Sequence, residues 1–434
     1  NSDQVIANPT HLSDSPMRSH FFTVLALTAL VVPDGARADW LQFRGPNGNG
    51  SIAGNENLPT ELSEKSIAWK VPLPGRGLGS PIIVGDRVFV TAASGPDQNQ
   101  LRVLCFSSTD GAELWRRSFW ATGRTMCQKK TCVAAPTPVS DGVRLYALWS
   151  SNDLICLDLD GNLVWTRGLT LDYPNASNSL GMASSPIIVG DTLVAQIEND
   201  SESFAAGFDL KTGTNKWKID RPKAANWTSP VVLKSGGTLV VALQSSKGVL
   251  GVAPATGSEI WNYSKGASTI PSGAAAGDTL YVPSKGLTAL RPGAGGGETT
   301  LLWNKKTQNP STASPLNSGD KVYIINSAGV LSATNRADGE RLWRVRLKGP
   351  FSGSPVASDN GHLYIFNEEG VGQCVDLSGA EGSVVSEIEL GETIISTASI
   401  SGDALYIRSD GSLWKIAGPP PSKGEAEAKS QSAP

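Results

Sequence analysis

The stretch Gly207–Trp217, which reads GFDLKTGTNKW, carries the pattern that decides the fold of this chain. It places a small residue first, an aspartate two positions later, then a glycine, and a tryptophan four positions after that glycine. Recurrence of such a pattern along a chain predicts a repeat protein. Good copies have their glycine and tryptophan at Gly111/Trp115, Gly161/Trp165, Gly257/Trp261 and Gly339/Trp343; a degenerate copy ends at Trp303, and one copy keeps Cys374, Asp376 and Gly379 without a tryptophan.

A second landmark lies between these copies: a Ser-Pro or similar pair, a short β-branched run, and a tight turn with glycine. Ser185-Pro186 followed by Gly190-Asp191 is a clear example. The later turns lie about 42 residues apart, a period typical of propeller blades. The turns are Gly85-Asp86, Asp141-Gly142, Gly190-Asp191, Gly236-Gly237, Gly277-Asp278, Gly319-Asp320, Asn360-Gly361 and Gly402-Asp403, which predicts eight units.

Each unit reads as four short antiparallel strands, since glycine supplies the positive φ that tight hairpins need. A lone four-stranded sheet cannot bury both of its faces, whereas radial stacking of sheets can. We expect each indole to pack against the neighbouring blade. The last copy contains three strands, and Ser66–Leu73 reads as an isolated strand that completes it and removes two exposed sheet edges. The sequence therefore predicts an all-β, eight-bladed β-propeller over residues 66–416, closed by its N-terminal strand.

The small-x-Asp-x-x-x-Gly-x-x-x-Trp pattern resembles the tryptophan-docking motif of the quinoprotein-like, PQQ-repeat propellers. That family includes quinone-dependent alcohol dehydrogenases and the outer-membrane assembly propeller BamB. The segment Trp40–Gly50 also looks like the entry segment of exported quinone-repeat proteins. The resemblance covers about residues 40–416, and it implies a fold more strongly than a function, because propellers host many activities.

The ends of the chain read differently from the repeats. Residues 17–38 have the features of a signal peptide, with an apolar run at Phe21–Val32 and small residues before a cleavage site at Asp39. We expect residues 1–16 to be extraneous, residues 39–65 to be a lead-in segment, and residues 417–434 to be a disordered tail. The predicted protein is exported, to the periplasm or outside the cell, with no transmembrane segment in its mature part. No cysteine lies at the predicted cleavage site, so a lipid anchor is not expected.

Charge excludes one class of partner. The net charge is −3 and no basic stripe or block of like charge occurs, so nucleic-acid binding is not expected. Of the three histidines only His362 follows the predicted leader, which excludes multi-histidine metal sites. A monomer is expected.

Extra residues in the early units fall on one face of the predicted ring, in the loops from the fourth strand to the next first strand and between strands two and three. We call this the upper face. Lengthened loops are usually functional or disordered. Aromatic and amide side chains there suit a sugar, a peptide segment or a planar cofactor, although Asn and Asp can also serve only their own turns. The candidate binding residues are Trp120, Arg124, Asp172, Tyr173, Asn175, Asn178, Glu198, Asn199, Asp200, Arg221, Asn226 and Trp227.

Metal and thiol chemistry are less strongly indicated. Glu198, Asn199, Asp200 and Asn226 carry oxygens that calcium could use, but they lack EF-hand spacing. Cys105, Cys156 and Cys374 lie at or within one residue of the small position of the repeat, which predicts buried apolar residues. Cys127 and Cys132 lie in the same first long loop, and in an oxidising compartment we expect them to form a local disulfide. The alternative is a pair of thiols that binds a soft metal.

Three functions remain open. The expected one is a non-catalytic binding or scaffolding propeller, with an envelope protein as partner and no cofactor, because no nucleophile–base constellation is visible. The second is an alcohol dehydrogenase that uses pyrroloquinoline quinone and calcium; members of that family typically have adjacent cysteines beside the cofactor, and this chain has none. The third is a glycan-binding or glycan-active propeller using Trp120, Tyr173 and Trp227 as platforms.

Overall fold

Eight sheets arranged as propeller blades form the fold, as the sequence predicts. The computed structural model describes residues 39–54, 57–177 and 180–418. The predicted leader, the tail beyond residue 418 and the candidate residue Asn178 lie outside these ranges. None of the described helices is long and apolar enough to cross a membrane.

The strands follow one another in chain order. The lead-in segment contributes β1 (Ser51–Ile52) and β2 (Ile67–Pro72). Blades 1 and 2 consist of β3 (Ile82–Val84), β4 (Arg87–Ser94), β5 (Gln100–Ser107), β6 (Glu113–Trp120), β7 (Val139–Ser140), β8 (Arg144–Leu148), β9 (Asp153–Asp158) and β10 (Leu163–Gly168). Blades 3 and 4 consist of β11 (Ile187–Val189), β12 (Thr192–Ile197), β13 (Phe204–Asp209), β14 (Asn215–Asp220), β15 (Val231–Ser235), β16 (Thr238–Ser245), β17 (Gly248–Val252) and β18 (Glu259–Tyr263).

The remaining blades repeat this order. Blades 5 and 6 consist of β19 (Ala274–Ala276), β20 (Thr279–Ser284), β21 (Gly286–Arg291), β22 (Thr300–Lys305), β23 (Leu316–Ser318), β24 (Lys321–Ile325), β25 (Val330–Asn335) and β26 (Arg341–Arg346). Blades 7 and 8 contain β27 (Val356–Ser358), β28 (His362–Phe366), β29 (Val371–Asp376), β30 (Ser383–Glu389), β31 (Ser399–Ser401), β32 (Ala404–Arg408) and β33 (Ser412–Ala417). The described helical segments are α1 (Leu169–Asp172) and 3₁₀ turns at Glu64–Ser66 and Ala294–Gly296.

Burial follows the position of each strand in its blade. The second strand of blade 3, β12, is buried along its whole length, whereas the outer strand β6 of blade 1 is mostly exposed. One apolar cluster joins Phe89 of blade 1 to Leu145 and Trp149, which belong to blade 2 or its upper loop. Blades therefore bury both faces of their middle strands against their neighbours, which is the reason for radial stacking.

The recurring glycine and tryptophan form the joints between blades. Trp165 of blade 2 lies over Gly213 in the turn of blade 3 and donates its indole N–H to the Leu210 carbonyl at 3.0 Å. Equivalent indole bonds join Trp69 to Ser108, Trp115 to Leu159, Trp217 to Pro254 and Trp303 to Arg336. Gly213 has φ of 71° and leaves space for the ring, so the glycine serves both the turn and the joint.

The small residue of the repeat lies opposite the tryptophan of its own blade. Cys105 pairs with Trp115, Cys156 with Trp165 and Gly207 with Trp217, in the ladder between strands three and four. Cys105, Cys156 and Cys374 are completely buried. The prediction that repeat position explains these three cysteines is confirmed.

The N-terminal strand closes the ring. β2 pairs antiparallel with β33, with Trp69 opposite Lys415 and Pro72 opposite Ser412. This pairing gives blade 8 its fourth strand and confirms the predicted closure. The sequence did not predict that β1 adds a fifth strand to blade 7, parallel to β27.

The lead-in segment crosses the lower face, where the tight turns lie. It bonds to blade 1 through Trp40 and Ile83, then turns at Arg44, whose φ is 63°. The Arg44 side chain is buried and donates to the carbonyls of Asn49, Gly273 and Pro315. Burial lowers the pKa of Arg44 to about 9. This segment thus covers the lower end of the central channel.

Candidate functional site

Hydroxyl groups of the Ser-Pro landmark form a ring around the channel. The backbone N–H of Ser80 donates to Thr137 Oγ1 at 2.9 Å, and that of Thr137 donates to Ser185 Oγ at 3.0 Å. The same bond continues from Ser185 to Ser229, Ser229 to Ser272, Ser272 to Ser314, Ser314 to Ser354 and Ser354 to Thr397. Each hydroxyl accepts an N–H from the preceding blade, so the landmark sets the spacing of the inner strands.

The ring of hydroxyls is open between blades 8 and 1. Ser80 Oγ is buried and has no hydrogen-bond partner in the described part of the chain. Other side chains join these blades: Ser399 Oγ donates to the Pro81 carbonyl at 2.6 Å, and Lys415 Nζ donates to the Ser108 carbonyl at 2.7 Å. The joint between the two ends of the propeller therefore differs from the others at the inner hydroxyls, although it keeps the indole bond from Trp69 to Ser108.

A funnel of about 390 Å³ opens on the upper face above these hydroxyls. Its wall has two tiers that follow the repeat. The inner tier holds the ring hydroxyls other than that of Ser80, and the outer tier holds the residue two positions before each position of the ring. The outer tier is Leu78, Ala135, Ala183, Trp227, Ile270, Thr312, Ser352 and Ile395, with Phe43 of the lead-in segment also contributing to the lining. A mainly apolar rim above polar hydroxyls is typical of a small ligand or side-chain site.

Trp227 is the largest side chain of the rim. Its indole N–H donates to the Gly181 carbonyl at 2.8 Å, and its backbone N–H donates to Thr269 O at 2.8 Å. The side chain is half-buried. A ring fixed in this way offers a rigid apolar face to a ligand at low entropic cost.

An ion pair lies at the mouth of the funnel. Lys130, in the first long loop, pairs with Glu368 of blade 7 at 2.9 Å. Lys130 is the charged side chain among the described residues that line the funnel. Because Glu368 also accepts a bond from Ser352 Oγ, this pair connects the first long loop to the rim at blade 7.

The predicted residues around Glu198 form a buried network instead of an open site. Glu198 Oε1 accepts from Arg221 Nε at 2.6 Å and from Gln196 Nε2 at 2.8 Å. Its Oε2 accepts from Asn226 Nδ2 at 2.9 Å, and Arg221 also donates to the Leu243 carbonyl of blade 4. These side chains connect blades 3 and 4, and both carboxylate oxygens of Glu198 are engaged within the protein, while Gln196 Oε1 is left without a partner among the described residues.

This network does not fit a calcium ion. Calcium needs several free oxygens, but both Glu198 oxygens are engaged and a guanidinium lies against one of them. Asn199 Oδ1 accepts from the Ser201 amide within its own turn, and Asp200 accepts from Ala225 N at 3.1 Å. No group of three or more carboxylate, imidazole or thiol ligands is found in the described ranges.

The other predicted residues lie away from the funnel. Trp120 is 66% exposed at the end of an outer strand, and Arg124 is exposed in the loop that follows. Asp172 forms an ion pair with Arg167. Tyr173 packs against Phe204 and accepts a bond from Asn215, and Asn175 is exposed. Of the predicted binding residues that the structure describes, Trp227 lines the funnel.

The described structure has no bond between Cys127 and Cys132. The two side chains differ in their surroundings. Cys132 is completely buried in the apolar cluster between blades 1 and 2, whereas Cys127 is half-buried and accepts a bond from Gln98 Nε2 at 3.4 Å. The disulfide between them stays a prediction, which intact-mass measurement before and after reduction can test.

Sequence reasoning missed most of the funnel. No sequence motif marks Ile270, Ile395 or Leu78, because each is a single apolar residue in a loop. Their position in the repeat identifies them, since each lies two positions before a ring hydroxyl. In the sequence the Ser-Pro pairs mark only the start of each unit, and nothing there shows the role of their hydroxyls.

Comparison with known proteins supplies the family. The sequence model of the family described as outer membrane protein assembly factor BamB matches residues 52–118, 99–270 and 327–418, more than half of the chain. A curated relative, the outer membrane protein assembly factor BamB of Alkalilimnicola ehrlichii, is 29% identical over 169 residues, which are 38% of this chain. The match spans 38% of that relative's own length.

Solved structures share the architecture at low identity. BamB from Moraxella catarrhalis aligns with a TM-score of 0.58 and 16% identity, covering 80% of this chain and 96% of that one. Quinohemoprotein alcohol dehydrogenase from Comamonas testosteroni aligns with a TM-score of 0.66 and 13% identity, covering 89% and 82%. Likenesses at this identity show the fold alone.

Proposed function

This chain belongs to the family described as outer membrane protein assembly factor BamB, and from that premise we propose that it is a non-catalytic binding propeller of the cell envelope. In this proposal the funnel of the upper face takes an apolar side chain of a partner protein, and the long loops of the early blades surround the entry. Export to the periplasm or the exterior and action as a monomer are parts of the same proposal.

The lining of the funnel is the observation that carries this proposal. Its rim is apolar at Leu78, Trp227, Ile270 and Ile395, and the hydroxyls below are engaged in accepting backbone N–H groups. Its charged residue, Lys130, is paired with Glu368. General acid–base catalysis needs a titratable group within hydrogen-bond reach of the reacting atom, and an ion-paired lysine at the mouth is poorly placed for that role.

A quinone-dependent alcohol dehydrogenase is the second candidate, because an enzyme of that kind shares the fold. The residues fit its cofactors poorly. A polyanionic quinone with calcium calls for cations and free carboxylates, whereas the funnel offers Lys130 already paired, and the Glu198 network is closed. Glycan binding is the third candidate; of its proposed platforms, Trp227 alone lies at the funnel, while Trp120 and Tyr173 lie elsewhere.

Site-specific photo-crosslinking tests the proposal. A photoreactive phenylalanine analogue at Ile270, on the rim, should crosslink one defined envelope protein. The same analogue at Leu342, which is 48% exposed on an outer strand, serves as the matched control. We expect the Ile270 product to be lost in the Trp227→Ala background and kept in Leu301→Ala, which changes another exposed outer-strand residue.

Three outcomes would contradict the proposal. Equal crosslinking from Ile270 and Leu342 would mean that the funnel is not a specific site. Dye-linked alcohol oxidation by protein incubated with pyrroloquinoline quinone and Ca²⁺ would assign the second candidate instead. Glycan-array binding that Trp227→Ala abolishes would assign the third.

A further inference from the structure

The lead-in segment bonds to the free edges of the inner strands on the lower face. Trp40 and Ile83 exchange two main-chain bonds of 3.0 Å, and Ser140 N donates to Leu41 O at 2.9 Å. Further along, Asn317 N donates to Asn49 O, and Ala357 N donates to Gly50 O at 3.0 Å. The segment therefore pairs with blades 1, 2, 6 and 7 through main-chain groups.

These bonds use one equivalent position in each blade. Ile83, Ser140, Asn317 and Ala357 each lie three positions after the ring hydroxyl of their blade. In blade 1 this residue faces Val88 across the sheet, and its N–H and C=O point away from that partner towards the channel. The equivalent residues of blades 3 and 4 are Ile188, which faces Leu193, and Val232, which faces Val241.

A groove of about 560 Å³ lies beside these two residues. One wall is the lead-in segment from Gln42 to Asn49, and the other is formed by β11 and β15. The segment crosses to the far blades at Arg44 and so leaves this side of the lower face uncovered. Ile188 and Val232 are half-buried, and Leu239 at the outer end of the groove is 43% exposed.

Another strand can pair with an uncovered strand edge, because the N–H groups of that edge can donate main-chain hydrogen bonds and its C=O groups can accept them. The side chains along the groove are aliphatic, and the exposed Lys234 stands at its end. A segment that fits is extended, carries alternating aliphatic side chains, and has a carboxylate near Lys234. It would continue the arc that the lead-in segment already makes on the other blades.

We propose that the lower face holds a second docking site, in which an extended segment of a partner protein pairs its main chain with Ile188 and Val232. The site is on the opposite face from the funnel and does not depend on the function proposed for the funnel. A propeller with both sites connects two polypeptides through one rigid ring.

Hydrogen exchange with a defined probe tests this site. The probe is the blocked peptide acetyl-Thr-Val-Thr-Val-Glu-amide, added to the full chain. We expect amide exchange in Ile187–Val189 and Val231–Ser235 to slow at least tenfold at saturation, with no change in Ile82–Val84, which the lead-in segment already covers. Protection confined to the upper loops, or none at millimolar probe, would overturn the proposal.

A backbone variant isolates the main-chain bond. Val232→Pro removes the N–H that points away from the sheet. Because proline is tolerated at an unpaired strand edge, we expect this variant to keep the fold. We expect Val232→Pro to weaken the affinity for the probe at least tenfold. Val232→Thr keeps the N–H and the branched shape, and its affinity for the probe should be within twofold of that of the original protein. Equal binding to both variants would contradict pairing through this amide.

The probe itself gives a test that does not depend on the variant folding. Alternate amides of an edge-pairing peptide point to and away from the protein. N-methylation of one alternate set should abolish binding and N-methylation of the other set should not; equal effects would overturn the pairing. A dimer of the chain in sedimentation that Val232→Pro disrupts would assign the groove to a second copy and would also overturn the proposal.

Discussion

The indole ring of Trp165 lies on Gly213 of the next blade, where an added Cβ would stand 2.7 Å from Cε3 of the ring. The joint therefore has space for glycine and for no other residue. The same contact recurs between Trp217 and Gly257 and between Trp303 and Gly339. Because this contact recurs between blades, the role of the glycine can be tested directly.

Gly213→Ala should destabilise the protein more than Gly190→Ala. Both glycines have positive φ, 71° and 61°, which costs alanine about 1–2 kcal/mol. Gly190 has nothing within 4 Å of an added Cβ, whereas at Gly213 the methyl meets Trp165, and such overpacking costs about 1–3 kcal/mol more. Urea denaturation monitored by tryptophan fluorescence measures both; equal losses would show that the joint does not matter.

Deleting Ser66–Leu73 should open the ring. The deletion removes β2, leaves β33 paired on one side only and removes Trp69 from the joint with blade 1. Loss of a buried tryptophan alone costs about 3–5 kcal/mol, so a large fall in melting temperature is expected. Deletion of residues 419–434 is the control and should leave the melting temperature unchanged. Equal shifts in calorimetry would refute closure by this strand.

Removing one partner of the Glu198–Arg221 pair should be strongly destabilising. Arg221→Met leaves a buried carboxylate unpaired, which costs about 3–5 kcal/mol. The double variant Glu198→Gln with Arg221→Met should lose less than the sum of the two single changes, because the unpaired charge is gone. Chemical denaturation of the four proteins completes the cycle. Additive losses would show that the two side chains do not act together.

Thiol labelling should find one accessible cysteine. Burial raises the pKa of Cys105, Cys132, Cys156 and Cys374 to about 12, so the reactive thiolate is scarce at pH 8, on the order of one molecule in ten thousand. Cys127 is half-buried, and a thiol reagent should modify it first. Five thiols should react after unfolding. If no thiol of the native protein reacts fast, and its mass is two units below that of the reduced form, the result would show a Cys127–Cys132 bond.

The sequence was sufficient to predict the ring of blades but not the path of the lead-in segment across its axis. Gly213 and Trp217 recur at a fixed spacing, so blade number, turn positions and the closing strand follow from local pattern. The path of Trp40–Gly50 follows from no such pattern, because its hydrogen bonds go to residues far away in the chain, such as Ala357. Only the assembled blades bring those partners within reach.

Site prediction from loop composition had a similar limit. Glu198, Arg221 and Asn226 were chosen because charged and amide side chains in long loops suit a ligand, yet in the structure they satisfy one another. Sequence shows that a carboxylate is present, while the partner that neutralises it lies on another strand. Trp227 was predicted on the same basis and does line the funnel, because its repeat position points it towards the axis.

The closing pair of strands also decides how the molecule responds to force. Ile67, where β2 begins, lies opposite Ile416, near the end of β33, so the two chain segments leave the sheet at the same end. Tension applied between these segments separates the ladder one pair at a time, from Ile67 towards Pro72, because antiparallel strands pulled from adjacent ends unzip instead of sliding. A pull applied directly at Ser66 and Gly418 would thus open the ring at this seam, whereas a pull from residue 39 must first break the main-chain bonds that hold the lead-in segment to the blades.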